Sequence, residues 1–342
     1  MKNKTRNIFF AFGLIAVIVM LFTFDVSFTQ LWAYICHAGY WLLAILVLWM
    51  ILYLMNAWTW RIIIQGSGPC PIPFWKILKL TITGFALNYA TPAGLMGGEP
   101  YKIMELKPYV GTQRATSSVL LFAMMHIFAH FWFWATSIVV YVALALFNLL
   151  PLDTGMAIVL TFMLAFCGGG IYLFTRGYKN GMVIKLVRFL CYIPGLKQWA
   201  RSFAETHKED LQKIDLQISE LQSQNQRSFY ASFTLEYVGR ICQSFEIYFM
   251  LLLFDAGTDG MLMFVHSFLI LSFTSLFANL LFFLPLQLGG REGGFAMSVA
   301  QMGMTAGTGL FISIICRVRE LFFTTLGLLL TKVGNGNPNT QD

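Results

Sequence analysis

The stretch Ser117–Leu150 reads SSVLLFAMMHIFAHFWFWATSIVVYVALALFNLL and contains no Asp, Glu, Lys or Arg. As a helix it rises roughly 50 Å at 1.5 Å per residue. The hydrocarbon core of a bilayer is about 30 Å thick, so the segment exceeds one crossing and either tilts or projects. Nothing so long and apolar suits the surface of a soluble domain.

The rest of the chain agrees. Of its 342 residues 57% are hydrophobic and 11% charged, against about 25% charged in a soluble domain. Further apolar runs lie at Ile8–Phe24, Tyr40–Trp60, Met156–Phe174, Phe229–Phe254, Leu262–Leu284 and Leu310–Leu330. The fold class expected is all-α and integral to the membrane: a polytopic bundle of about 7–8 spans, occupying 1–332 as one domain. Residues 333–342 are expected to be a disordered tail. The N-terminal run follows Lys2, Lys4 and Arg6 as a signal peptide would. It is longer than a secretory h-region and lacks a small-residue cleavage site, so an uncleaved span is expected.

Charge sets the orientation. The net charge is +7, and basic residues concentrate in cytoplasmic loops. Arg176, Lys179, Lys185, Arg188, Lys197 and Arg201 form such a segment with no acidic residue among them. The connections 25–39, 148–155 and 255–261 contain no Lys or Arg. A multi-pass protein of the cell membrane with a cytoplasmic N-terminus follows. Between Ser202 and Arg227, Leu211, Ile214, Ile218 and Leu221 repeat at helical spacing, which predicts a surface amphipathic helix.

Two interruptions break the apolar pattern. The first carries Pro92, Gly94, Gly97, Gly98 and Glu99; the second carries Pro285, Gly289, Gly290, Arg291 and Glu292. In both, the glutamate stands seven residues after the proline and follows Gly-Gly directly or by one residue. They lie about half the chain apart, which suggests a two-fold pseudo-repeat. Irregular backbone at membrane depth must face protein or water, and paired Gly/Pro breaks in two halves point to a transport site. Lys76 and Lys79 before the first break, and Lys102, Lys107 and Arg114 after it, predict a segment that re-enters on the side it left. The second break is read the same way; whether Phe295–Met304 crosses or re-enters is left open by the sequence, and with it the side of the C-terminus.

Charges inside spans form a second signal, since each costs about 2.5–3.5 kcal/mol at the bilayer centre. Glu236, Arg240, Gln243 and Glu246 share one face of the fifth span, with Glu236 and Arg240 in i,i+4 register. Ser313, Arg317, Glu320 and Thr324 share a face of the last, while Arg319 falls off it and is expected to reach an interface. His126 and His130, also i,i+4, are expected to make hydrogen bonds in the bundle. The six cysteines stand singly, without CxxC, so no zinc or redox motif is indicated. No HExxH, P-loop, GxGxxG or Ser-His-Asp pattern occurs. Neither metal nor cofactor is expected, and no nucleic acid partner.

The Pro-x-Gly-x-x-Gly-Gly-Glu stretch at 92–99, the Pro…Gly-Gly-Arg-Glu-Gly-Gly stretch at 285–294 and the span layout resemble the lysylphosphatidylglycerol synthase transmembrane, or flippase-like, family, over roughly residues 8–330. Gln287 and Leu288 depart from the small residues of its pattern. The resemblance implies a helical bundle that moves a lipid between leaflets. The chain ends before an aminoacyl-transfer domain, so lysine transfer is not expected. A headgroup would enter a cavity lined by Glu99, Glu292, Glu236, Arg240, Arg317 and Glu320, with Arg291, Gln243 and Glu246 beside it. The alternatives are a membrane-embedded lipid transferase, with Glu99 or His126 as base, and a scaffold recruiting a partner through Ser202–Arg227. Lipid identity, direction, energy coupling and homo-oligomerisation are left open.

Overall fold

A computed structural model describes residues 28–90, 97–180, 226–254, 259–280 and 290–332, with scattered positions between 185 and 219. The expected span Ile8–Phe24, Pro92, Gly94, Pro285, Gly289 and the tail 333–342 lie outside the described residues, as does half of Ser202–Arg227, Ile214, Ile218 and Leu221 of its apolar repeat included.

Among the described residues every regular element is a helix. In chain order they are α1 (Phe28–Ala38), α2 (Tyr40–Gly66), α3 (Phe74–Ala90), α4 (Gly98–Val110), α5 (Thr112–Leu146), α6 (Thr154–Asn180), α7 (Gln226–Leu251), α8 (Gly260–Leu280), α9 (Gly290–Gln301) and α10 (Ala306–Leu330). Helices α2, α5, α6 and α8 contain stretches long and apolar enough to cross a bilayer. Helices α7 and α10, of 26 and 25 residues, match them in length but carry charge in mid-helix. The protein is a polytopic helical membrane protein.

Two elements differ from the expectation, and a third bears on a point the sequence left open. The connection 25–39, placed outside for its lack of Lys and Arg, contains α1. Its backbone turns into α2 at Gly39, whose φ of 53° suits glycine, and the Gly39 N–H bonds to the Ile35 carbonyl at 3.1 Å. Residues after the first interruption, read as a basic flank, are helix α4. Pro100 is tolerated there because first-turn N–H groups have no helical partner to lose. Helix α9 has 12 residues, about 18 Å, too short to cross alone.

The chain forms two compact units that are not its two sequence halves. One comprises residues 1–53, 75–105 and 243–342, the other 54–74 and 106–242. Helices α2, α4 and α7 each contribute residues to both. The first unit holds both Gly-Gly-Glu breaks. Its core includes Ile45, Leu80, Leu87, Leu269, Val299 and Ile312, all inaccessible to solvent. Helix α9 packs between α8 and α10, and Tyr34 and His37 of α1 set their rings against Phe311 of α10. In the second unit α5 packs on α6, and Trp60 of α2 stacks on Phe122 of α5.

Candidate functional site

Both breaks lead into a short helix with the motif glutamate in its first turn: Glu99 in α4 and Glu292 in α9. A carboxylate there is favoured by the unpaired N–H groups and the positive end of the helix dipole. Each glutamate also meets a buried cation. Lys102, one turn on from Glu99, places Nζ 2.9 Å from Glu99 Oε1. Arg317 of α10 donates to Glu292 Oε1 through Nε at 2.7 Å and through Nη2. In both pairs the cation is the deeper partner. Side-chain exposure is 2% for Lys102 against 16% for Glu99, and 7% for Arg317 against 29% for Glu292.

The first pair depends on close backbone approach. A Cβ on Gly98 would stand 2.1 Å from the Gly84 carbonyl oxygen, and one on Gly84 would stand 2.7 Å from Lys102 Cε. Glycine at both positions lets α4 close on α3 and lets the lysine stem lie between them. Asn88 clasps the two sides of the break. It accepts from the Gly98 N–H at 2.8 Å and donates to Glu99 Oε1 at 3.0 Å. Glu99 Oε2 is buried and takes no hydrogen bond among the described residues.

Glu320 of α10 joins the margins of the two breaks. Tyr89, next to the last residue of α3, donates to Glu320 Oε2 at 2.5 Å. Arg291, the second residue of α9, bonds to Glu320 Oε1. Arg319 does not reach an interface: it is 4% exposed and lies at the heart of this network. Its Nε and Nη2 grip both oxygens of Glu246 on α7 at 2.9 and 3.1 Å. Nη1 lies 3.3 Å from Glu320 Oε1, and the guanidinium stacks 3.6 Å from the centroid of the Trp49 ring. The side chain leaves the Arg317–Glu320 stripe but turns toward α7 and α2, where a carboxylate waits.

In the second unit, Glu236 and Arg240 meet at His126 of α5. Glu236 Oε2 lies 2.9 Å from His126 Nδ1, and Arg240 Nη2 approaches both ring nitrogens. His130 Nδ1 bonds to the His126 carbonyl at 2.9 Å. The residues expected to line one cavity thus sort into clusters. Glu99, Glu292, Arg291, Arg317, Glu320 and Glu246 fall in the first unit, and Glu236 and Arg240 in the second. Gln243, on α7 between Arg240 and Glu246, is half-buried. Gly97 forms the turn before α4, and Gly98 and Gly290 open α4 and α9.

Sequence reasoning missed Lys102, Asn88, Tyr89 and Trp49. Lys102 was legible in principle: on a helix its three-residue spacing from Glu99 makes the pair. Asn88, Tyr89 and Trp49 carry no local signal.

A family model, the lysylphosphatidylglycerol synthase transmembrane region, matches residues 8–327. The chain belongs to that family. As a lysylphosphatidylglycerol synthase transmembrane-region protein, it has a membrane-embedded, lipid-related role. The matched span covers both Gly-Gly-Glu breaks and every charged cluster described above. No curated protein and no solved structure matches the chain.

Proposed function

We propose that the protein moves a membrane lipid between leaflets, and that the two break segments, re-entrant in the bilayer, bind its headgroup. The observation that carries this reading is the repeated pair: a motif glutamate at a helix start, more open to solvent, over a buried lysine or arginine. Burying a charge without a partner costs several kcal/mol. A zwitterionic or aminoacylated headgroup can open such a pair without leaving one unpaired. Its ammonium takes Glu292, the more exposed partner, and its phosphate takes the Arg317 fork, which suits phosphate oxygens. The headgroup thereby replaces one ion pair by two, and closure behind it restores the original.

The test is purified protein in liposomes, with labelled lipid in both leaflets and an impermeant quencher outside. The expected result is loss of label beyond the outer-leaflet half. Arg317→Gln, which leaves the phosphate no fork, should slow movement by about tenfold or more, a barrier change of about 1.4 kcal/mol. Full movement by the Glu99→Ala, Glu292→Ala double variant, or none by the wild-type chain with any lipid class offered, overturns the reading.

A further inference from the structure

We infer that His126, held between Glu236 and Arg240, is a proton-binding site whose occupancy couples a proton gradient to transport. The inference rests on the lipid movement proposed above and supplies its energy source.

The cluster lies in the middle of two long helices, α5 and α7. Ionisable side chains so placed are costly, and Glu and His chains in membrane helices mark proton relays. His126 is 26% exposed, whereas Glu236 is 3% exposed. The ring is thus the more open member of its pair with Glu236. Thr136 and Tyr237 hold the helices together further along, their hydroxyls 2.7 Å apart.

One tautomer uses these contacts with the charged partners in their ordinary states. A ring that donates Nδ1–H to Glu236 Oε2 and accepts from Arg240 at Nε2 is neutral, because a guanidinium offers donors only. Adding a proton at Nε2 removes that acceptor and sets two cations face to face. Arg240 must then leave the ring. Glu236 stands one turn away on the same helix, in i,i+4 register, so the guanidinium is drawn toward that carboxylate. The imidazolium keeps Glu236 through Nδ1. One proton thus removes the Arg240–ring bond between α7 and α5, loosening one contact between two spans. Histidine suits the task because its unperturbed titration lies near neutral pH.

Among the described residues, the groups that could compete lie on four helices. On α5 itself, His130 lies one turn away and bonds to the His126 carbonyl, its ring edge-on to the His126 ring. From α7 come Glu236 and Arg240. Helix α6, packed on α5, buries Cys167 and carries Tyr172 and Arg176 toward its end. Helix α2 meets this part of α5 through Trp60, beside Arg61. Among these, only His126 is placed to bind and release a proton between two charged partners.

The experiment uses the full chain in two arms. In the first, histidine-15N-labelled protein in nanodiscs is titrated by NMR, with the His126 signal identified by its loss in His126→Gln. A His126 signal that changes protonation between about pH 5 and 8, and moves in Glu236→Gln, supports the site. A signal that stays neutral over that range overturns it, whether or not lipid moves. In the second arm, liposomes carry an imposed gradient of about two pH units, which for one proton per lipid permits at most about hundredfold accumulation in one leaflet. Wild-type protein should drive labelled lipid to one leaflet, and Glu236→Gln should lose that asymmetry. Lipid movement that ignores the gradient overturns the coupling and leaves the lipid reading standing. An absence of all lipid movement together with a titrating His126 overturns the lipid reading and retains the proton site.

Discussion

Arg319 shows how a buried charge is kept in a membrane helix. Its guanidinium has Glu246 on one edge, Glu320 on another and the Trp49 ring on its face. Removing one partner of such a pair costs about 3–5 kcal/mol, whereas replacing both by apolar residues of similar volume is often neutral. Glu246→Leu should therefore lower the unfolding temperature in detergent strongly, and Arg319→Leu likewise. The double variant should recover most of the loss. If the double variant falls as far as the sum of the singles, the pair is not the unit of stability here. Arg319→Lys should behave like a loss, since an ammonium can neither grip both oxygens of Glu246 nor stack on Trp49. The charged stripes on α7 and α10 were legible in the sequence because charge in an apolar run stands out. The partner of each charge was not, because Arg319 and Glu246 stand far apart in the chain and only packing brings them together.

At the scale of helices, single glycines of the two motifs differ in how closely they are approached. Gly98 lies against the Gly84 carbonyl, and any Cβ there forces α4 off α3. Gly293, in the second motif, meets nothing within 4 Å. Alanine inside a helix is favoured over glycine by about 1 kcal/mol, so Gly293→Ala should keep or raise thermal stability and leave lipid movement near wild type. Gly98→Ala should lose the Lys102–Glu99 geometry and most of the movement. Equal behaviour of the two variants in the liposome assay would show that close approach of α4 to α3 is irrelevant. The long helices were readable because each is an apolar run of bilayer length. Helices α1 and α4 were not, for different reasons. Helix α1 has only 11 residues and follows no charge pattern. In α4, Pro100, Pro108 and its lysines mimic a loop; Pro100 is accommodated in the first turn, while Pro108 stands inside the helix, two residues from its end.

For the whole molecule, the orientation argued from loop charge can be tested on the protein's own thiols. Helix α2 has 27 residues, about 40 Å, and is apolar enough to cross. Cys36 precedes it and is exposed; Cys70 follows it and is half-buried. If α2 spans the bilayer, the two thiols lie on opposite sides. The basic residues Arg61, Lys76 and Lys79 flank the Cys70 end, and 25–39 has none, so the Cys70 end should be cytoplasmic. In single-cysteine variants, an impermeant maleimide added to intact cells should label Cys36 and leave Cys70 unlabelled until the membrane is opened. The reverse pattern would invert the protein and place the N-terminus outside. Labelling of both from one side would mean that α2 does not cross, and the span count would fall with it. The measurement also bears on the breaks. With α2 fixed, α3 starts on the Cys70 side, and a single cysteine at Thr112 reports where α4 delivers the chain. Labelling of that thiol together with Cys70 is what a segment that enters and returns requires, and labelling with Cys36 would make α3 and α4 together a span.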